Sequence, residues 1–227
     1  MKKFDLIVIG GGSGGVRSAR IAAIHGAKVA LCEKDRMGGT CVIRGCIPKK
    51  LLFYSSQFRD IFTASNNYGW SAKSIKYDFA KMIKSKNIEL KRLENIYEQN
   101  ALKAGVDLFK GEASFINKNQ IKINGENLYG KKIIIATGGT PINLKDIDYD
   151  LTEDSDSIMQ LKSLPKSLVI IGAGYIAIEF AFIFANLGTK VSLIVRKNIL
   201  RGFDKSLVNL LENNLLRKNV KIYSNNQ

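Results

Sequence analysis

Asp5 to Ile9 reads as a buried strand that passes straight into Gly10-Gly11-Gly12-Ser13-Gly14-Gly15 and an Ala/Ile-rich amphipathic helix to about His25. A second strand, Lys28 to Cys32, follows and ends at Glu33. This is a βαβ unit, and Gly10, Gly12 and Gly15 form a dinucleotide fingerprint in the strand-to-helix context it requires. Gly10 permits the tight turn, Gly12 lets backbone approach a pyrophosphate, and Gly15 lets helix and strand pack closely. With Ser13 and Gly14 in its first turn, the helix N-terminus offers N–H groups and positive dipole to phosphates. Glu33 is placed for a ribose hydroxyl. A flexible loop, the bland alternative, would not need these parts in this order.

The pattern recurs. Two long helical stretches, about Lys49 to Ala64 and Tyr77 to Ala104, precede short strand-like pieces from Val106 to Ile123. A buried strand at Lys132 to Ile135 then leads into Ala136-Thr137-Gly138-Gly139. A polar, acidic stretch from Asp146 to Asp156, with Pro165 beyond it, reads as a connection into a new unit. Leu168 to Ile171 is its first strand, and Gly172-Ala173-Gly174-Tyr175-Ile176-Ala177 opens a helix to about Leu187 before a strand at Lys190 to Val195. Ala177 replaces the last glycine of the fingerprint, a permitted change. This second strand ends in Arg196, with Lys197 and Arg201 nearby, and cations there suit the 2′-phosphate of NADP better than a bare ribose. The expected fold is α/β with two Rossmann-like dinucleotide-binding units, one over 1–145 and one over 146–227.

Composition excludes several other classes. Hydrophobic residues make up 45% and charged residues 24%, an ordinary globular balance. No apolar run approaches the roughly 20 residues of a membrane span, and the N-terminus does not read as a signal peptide, so a cytoplasmic protein without membrane contact is expected. The formal charge of +15 comes from scattered lysines and arginines with no basic block longer than two, which argues against a nucleic-acid partner.

Cys41 and Cys46 stand five residues apart in Gly39-Thr40-Cys41-Val42-Ile43-Arg44-Gly45-Cys46-Ile47-Pro48-Lys49-Lys50, leading into a helix with Pro48 near its first turn. They can form an intrachain disulfide, and the helix N-terminus with Lys49 is expected to lower a thiol pKa. Zinc would need four ligands, and only Cys32 and His25 remain as further thiol or imidazole donors. No metal site is expected. Two inert buried thiols fit poorly with the surrounding Gly, Arg and Lys, whereas Cys32, inside a strand, reads as core.

The glycine loop at 10–15, the cysteine segment at 39–50, Ala136-Thr137-Gly138-Gly139 and Gly172-Ala173-Gly174-Tyr175-Ile176-Ala177-Ile178-Glu179 together resemble the flavoprotein disulfide reductases, and among these the glutathione reductases. The resemblance covers nearly the whole chain, in the family's order, but only the N-terminal half of a family member. It implies that the first unit is the FAD-binding domain, with Glu33 on the adenosine ribose and Thr40 near the flavin, and the second an incomplete, truncated NADPH-binding domain. It implies a redox-active Cys41–Cys46 disulfide in which Cys46 is nearer the flavin and Cys41 exchanges with substrate. Lys49 would stand by the flavin, paired with Glu179, and Tyr175 would be a movable lid where nicotinamide enters. Ser13, Arg20 and Tyr97 fall where glutathione reductases hold glutathione disulfide. The full-length enzyme is expected to be a homodimer whose partner subunit supplies a His–Glu pair, a role that His25 cannot take. The alternatives are a cofactor-binding fragment without turnover, or a sister reductase of the lipoamide dehydrogenase or mercuric reductase type.

Overall fold

The computed structural model describes residues 1–71, 74–142 and 147–224. The expected boundary between residues 145 and 146 and the terminal 225–227 lie in part or wholly outside these. The chain divides into two compact units, one of Met1–Lys49 with Ser85–Met159 and one of Lys50–Lys84 with Gln160–Gln227.

In the first unit, β1 (Lys2–Ile9) runs into α1 (Ser13–Ile24) and β2 (Val29–Glu33). A turn of π-helix at Thr40–Arg44 precedes α2 (Cys46–Ser65), and α3 (Phe79–Lys103) returns the chain to β3 (Val106–Lys110). β4 (Ala113–Asn117), β5 (Gln120–Ile123) and β6 (Glu126–Ile135) complete a six-stranded sheet in the order β3-β2-β1-β6-β5-β4. β1 pairs parallel with β2 and β6, and β2 with β3, while β4, β5 and β6 form an antiparallel meander.

The apolar run of β1 is continuous because both faces of this central strand are covered. Ile7 and Ile9 join Ala30, Cys32, Ile121 and Leu128 on one face. Val8 joins Val16 and Ala19 of α1, with Val29, Leu31 and Val106, on the other. α1 therefore packs on the sheet through its small residues and presents its N-terminus at the ends of β1 and β6. Among the described residues one charged side chain is wholly enclosed: Lys86 of α3 is 1% exposed and donates to the Met159 carbonyl at 2.5 Å.

In the second unit β7 (Ser167–Ile171), α4 (Tyr175–Leu187), β8 (Lys190–Val195), α5 (Lys205–Arg217) and β9 (Lys221–Ser224) build a parallel three-stranded sheet in the order β7-β8-β9. The body of α2 belongs to it, held by Arg59 donating to the Asn186 carbonyl (3.2 Å) and by the Lys218–Asp60 ion pair (2.6 Å). Among the described residues, no helix is long and apolar enough to cross a membrane.

Candidate functional site

Gly10 leaves β1 at φ +109°, and a Cβ there would lie 2.2 Å from the Ala136 carbonyl oxygen. Only glycine takes that turn beside β6. A Cβ on Gly15 would meet the Gly10 carbonyl at 1.8 Å, which is how closely α1 sits on the loop. Gly39, at φ +59°, brings its backbone against Gly12, where its own Cβ would fall 2.5 Å from the Gly12 Cα. The result is a cradle of bare backbone between the 10–15 and 38–39 turns. α1 starts at Gly12 with no side-chain cap and no acid in its first turn, so its N–H groups and positive dipole end stay available to an anion.

Glu33 closes this cradle at the end of β2. One carboxylate oxygen accepts from Gly11 N–H at 2.5 Å and the other from Asp35 N–H at 2.7 Å, and each oxygen keeps a further lone pair for a hydroxyl. At the end of β6, Ala136 donates to the Ile9 carbonyl (2.8 Å), and Thr137 and Gly138 are exposed beyond it. A glycine-walled, acid-free helix N-terminus with one carboxylate at its edge fits a dinucleotide carrying pyrophosphate and ribose.

Cys41 lies in the π-helical turn and Cys46 is the first residue of α2, with Thr40 exposed before them. Both cysteines are free thiols, and Cys46 lies close enough to Cys41 to act on its ionisation. The expectation of a lowered thiol pKa does not hold for Cys41. Burial, and then the neighbouring Cys46, push it up to about 11. The physical reason is position: Cys41 sits in the turn preceding α2, so it gains desolvation without standing at the helix N-terminus. Lys49, half-buried in the first turn of α2, donates its N–H to the Gly45 carbonyl at 3.0 Å. Cys32 is buried in β2, where desolvation lifts its thiol to about 12, as befits an inert core residue.

The second glycine turn has similar features. Gly172 lies at φ +142°, and Gly174 opens α4 with no side-chain cap and no acid in the first turn. Tyr175 and Ile176 are exposed there, Ala177 is half-buried, and Glu179 is half-buried one turn on. After β8, Lys197, Arg201 and Lys205 line a pocket of about 420 Å³. Arg196 is exposed and is not among its lining residues. A cationic pocket beyond an uncapped helix N-terminus fits a phosphorylated dinucleotide.

A separate pocket of about 450 Å³ in the first unit brings together Ser13, Arg20 and Tyr97, and adds Arg17 and Asn100. No acidic residue lines it, and the buried Nε of Arg20 has no hydrogen-bond partner among the described residues. Sequence reading left Arg17 and Asn100 out of the site. The signal was present: Ser13, Arg17 and Arg20 follow i, i+4, i+7 spacing along one helix face, and Asn100 stands three residues after Tyr97. Such a pocket can take a ligand with carboxylates. Among the described residues no cluster of His, Cys, Asp and Glu could hold a metal ion.

The family model described as pyridine nucleotide-disulphide oxidoreductase matches residues 4–227. Over 220 residues the chain is 43% identical to the glutathione reductase of Burkholderia cepacia, covering 96% of this chain and 49% of that protein. It is 42% identical over 215 residues to the chloroplastic/mitochondrial glutathione reductase of Pisum sativum, covering 89% of this chain and 39% of that one. Among solved structures, the HOCl-induced flavoprotein disulfide reductase RclA from Escherichia coli superposes with a TM-score of 0.86 at 30% identity, covering 98% of this chain and 49% of that chain. The chain thus spans about half the length of these relatives, or somewhat less.

Proposed function

Because the chain belongs to the pyridine nucleotide-disulphide oxidoreductase family, we propose that it forms the cofactor- and thiol-bearing half of an NADPH-dependent glutathione-disulfide reductase. The single observation that carries this reading is the contact of two free thiols, Cys41 and Cys46, immediately after the turn that walls the first phosphate cradle. FAD, when bound, supplies the two-electron chemistry that links NADPH to the disulfide. The N-terminus of α1 would hold its pyrophosphate through Ser13, Gly14 and Gly15, Glu33 its ribose, and Thr40 and Ala136 to Gly138 the chain's remaining contacts to it. Gly172, Gly174 and Tyr175 to Ala177 would hold NADPH, with Arg196 and Arg201 on its 2′-phosphate. Lys49 and Glu179 would act near the flavin as the resemblance implies.

In the exchange, the Cys41 sulfur attacks one sulfur of glutathione disulfide and releases one glutathione. The Cys46 sulfur then attacks Cys41, releases the second, and leaves the Cys41–Cys46 disulfide; the two thiol protons end on the two glutathione thiols. Arg20, Ser13 and Tyr97 would orient the substrate, the guanidinium through paired hydrogen bonds to a carboxylate. A Cys41 thiol held up to about 11 is protonated at neutral pH, so its attack needs a base. His25, exposed at the C-cap of α1, does not meet that need. The reading therefore places the base in a His–Glu pair of a partner subunit, in a cytoplasmic homodimer.

The test is a visible spectrum of the purified chain reconstituted with FAD, titrated with NADPH and then with glutathione disulfide. Bound flavin that gains a long-wavelength thiolate charge-transfer band with NADPH and loses it with glutathione disulfide, slowly at neutral pH without the partner's base and faster as pH rises toward the Cys41 pKa, is the expected result. A reduced band that persists in glutathione disulfide but is discharged by another disulfide would replace the substrate. A chain that takes up no FAD would make it a fragment without turnover of its own.

A further inference from the structure

Arg44 is the last residue of the π-helical turn between the two thiols. Its guanidinium ion-pairs with Asp35 and reaches Asp156 at 3.8 Å. Both acids stand on fixed backbone. Glu33 holds the Asp35 N–H at 2.7 Å, Asp154 holds the N–H groups of Asp156 and Ser157 at 2.8 and 2.9 Å, and Ile158 and Met159 just beyond are buried. Val42 and Ile43 anchor the middle of the turn in the core, whereas its ends are less secured: Gly39 at its start provides no side-chain cap, and Gly45 ends it at φ −148°, ψ −111°.

We propose that Arg44 is a positioning residue for the dithiol, its two ion pairs holding the turn in the wide winding that keeps Cys41 against Cys46. The inference rests on the reading of these cysteines as a redox pair. At the roughly 3.6 residues per turn of an α-helix, a residue five places on lies well past the first, toward the opposite side. Here the wider π turn carrying Cys41 is followed by the non-helical Gly45, and the two together bring the chain into α2 with Cys46 beside Cys41; single π turns are rare and often mark functional sites. Without Arg44 the turn relaxes toward tighter winding, Cys41 swings from Cys46, and the effective concentration of one thiol for the other falls. The side chain is 34% exposed, Asp156 32% and Asp35 51%, so the pairs are partly screened and salt weakens them.

The experiment equilibrates the chain with mixtures of reduced and oxidised dithiothreitol, quenches with acid, and counts Cys41–Cys46 disulfide by alkylation and peptide mass. In each exchange the S–S bond of the oxidised reagent breaks, the Cys41–Cys46 bond forms, and two electrons and two protons pass to the reagent. Arg44→Gln should weaken disulfide formation five- to tenfold, about 20–30 mV at roughly 30 mV per tenfold for a two-electron couple. Arg44→Lys should fall between, Asp35→Asn and Asp156→Asn should each show part of the loss, and about 0.5 M salt should move the wild type toward Arg44→Gln. If the wild type forms no Cys41–Cys46 disulfide at any ratio, the redox reading fails. If it forms one and Arg44→Gln, folded by circular dichroism, stays within twofold, the positioning role fails and the redox reading stands. If Arg44→Gln does not fold, Asp156→Asn in low and high salt decides: a loss that salt abolishes supports the role, and no loss overturns it.

Discussion

Cys41 carries the largest demand placed on any side chain here, since the proposed exchange needs its thiolate while its surroundings disfavour one. With the thiol pushed up to about 11, alkylation of Cys41 by iodoacetamide should be slow at pH 7 and climb about tenfold per pH unit until it levels near pH 11. A rate that levels by pH 8 would show an ordinary thiolate. Because the folded pKa lies above that of a free thiol, near 8.5, this group's contribution to stability is intact below that value and is lost as pH rises toward 11. Gly15, like Gly10, has no latitude. Gly15→Ala would drive a methyl to 1.8 Å from the Gly10 carbonyl, so α1 must move off the sheet. A thermal melt should show a loss of about 2 kcal/mol or more, in the range of core overpacking, together with loss of FAD uptake.

The helices differ in how they begin, and the difference tracks what each would face. α5 starts at Asp204, whose side chain accepts from the N–H groups of Ser206 and Leu207. α1 and α4 start at glycines with no cap at all. Capping is a common stabilising device, so two uncapped helices that follow glycine turns leave their N–H groups for a ligand rather than for themselves. Gly12 has an ordinary φ of −79°, and its Cβ would come no nearer than 3.7 Å to Gly39, so a side chain is tolerated there. Gly12→Asp should then leave the fold and melting temperature nearly intact and abolish FAD binding, since its carboxylate would occupy the anion's place. Retained flavin in that variant would mean the phosphates lie elsewhere.

Across the chain, charge is distributed so that function and folding make separate demands. In the first unit Lys86 and Met159 lie near the two ends of the 85–159 segment, and their hydrogen bond ties those ends together. Burial, then the Arg36 charge, lowers the Lys86 pKa to about 8, so between about 8 and the free-lysine value near 10.4 the unfolded chain binds the extra proton. Stability attributable to Lys86 should therefore rise with pH across that window, and denaturant melts should show the wild type gaining stability relative to Lys86→Met as pH climbs. A constant difference would mean the amine stays charged throughout. In the second unit, Arg201→Ala should weaken NADPH binding at least tenfold and leave NADH nearly unchanged, measured by fluorescence titration. Equal losses would remove the phosphate from the pocket of Lys197, Arg201 and Lys205.

The helix and strand order around both glycine turns was legible in the sequence, because period, glycine spacing and strand-end charge are local properties that survive without tertiary context. β1 to β2 and β7 to β8 lie close to where apolar runs and glycines place them. α5 went unread although its amphipathic period and its Asp204 cap were local signals, whereas β9, four residues long, depends on its pairing with β8. Ser13, Arg20 and Tyr97 came from a resemblance, but only packing brought α1 and α3 together so that Arg17 and Asn100 entered the same pocket. The thiol pair shows the division most clearly. Two cysteines five apart announced that they could meet, whereas the π winding, the Arg44 ion pairs and the raised Cys41 pKa depend on Asp35, Asp156 and the depth of burial. Spacing along a chain determines which groups can meet, and solvent exclusion and long-range ion pairs, which exist only after folding, decide their charge and geometry.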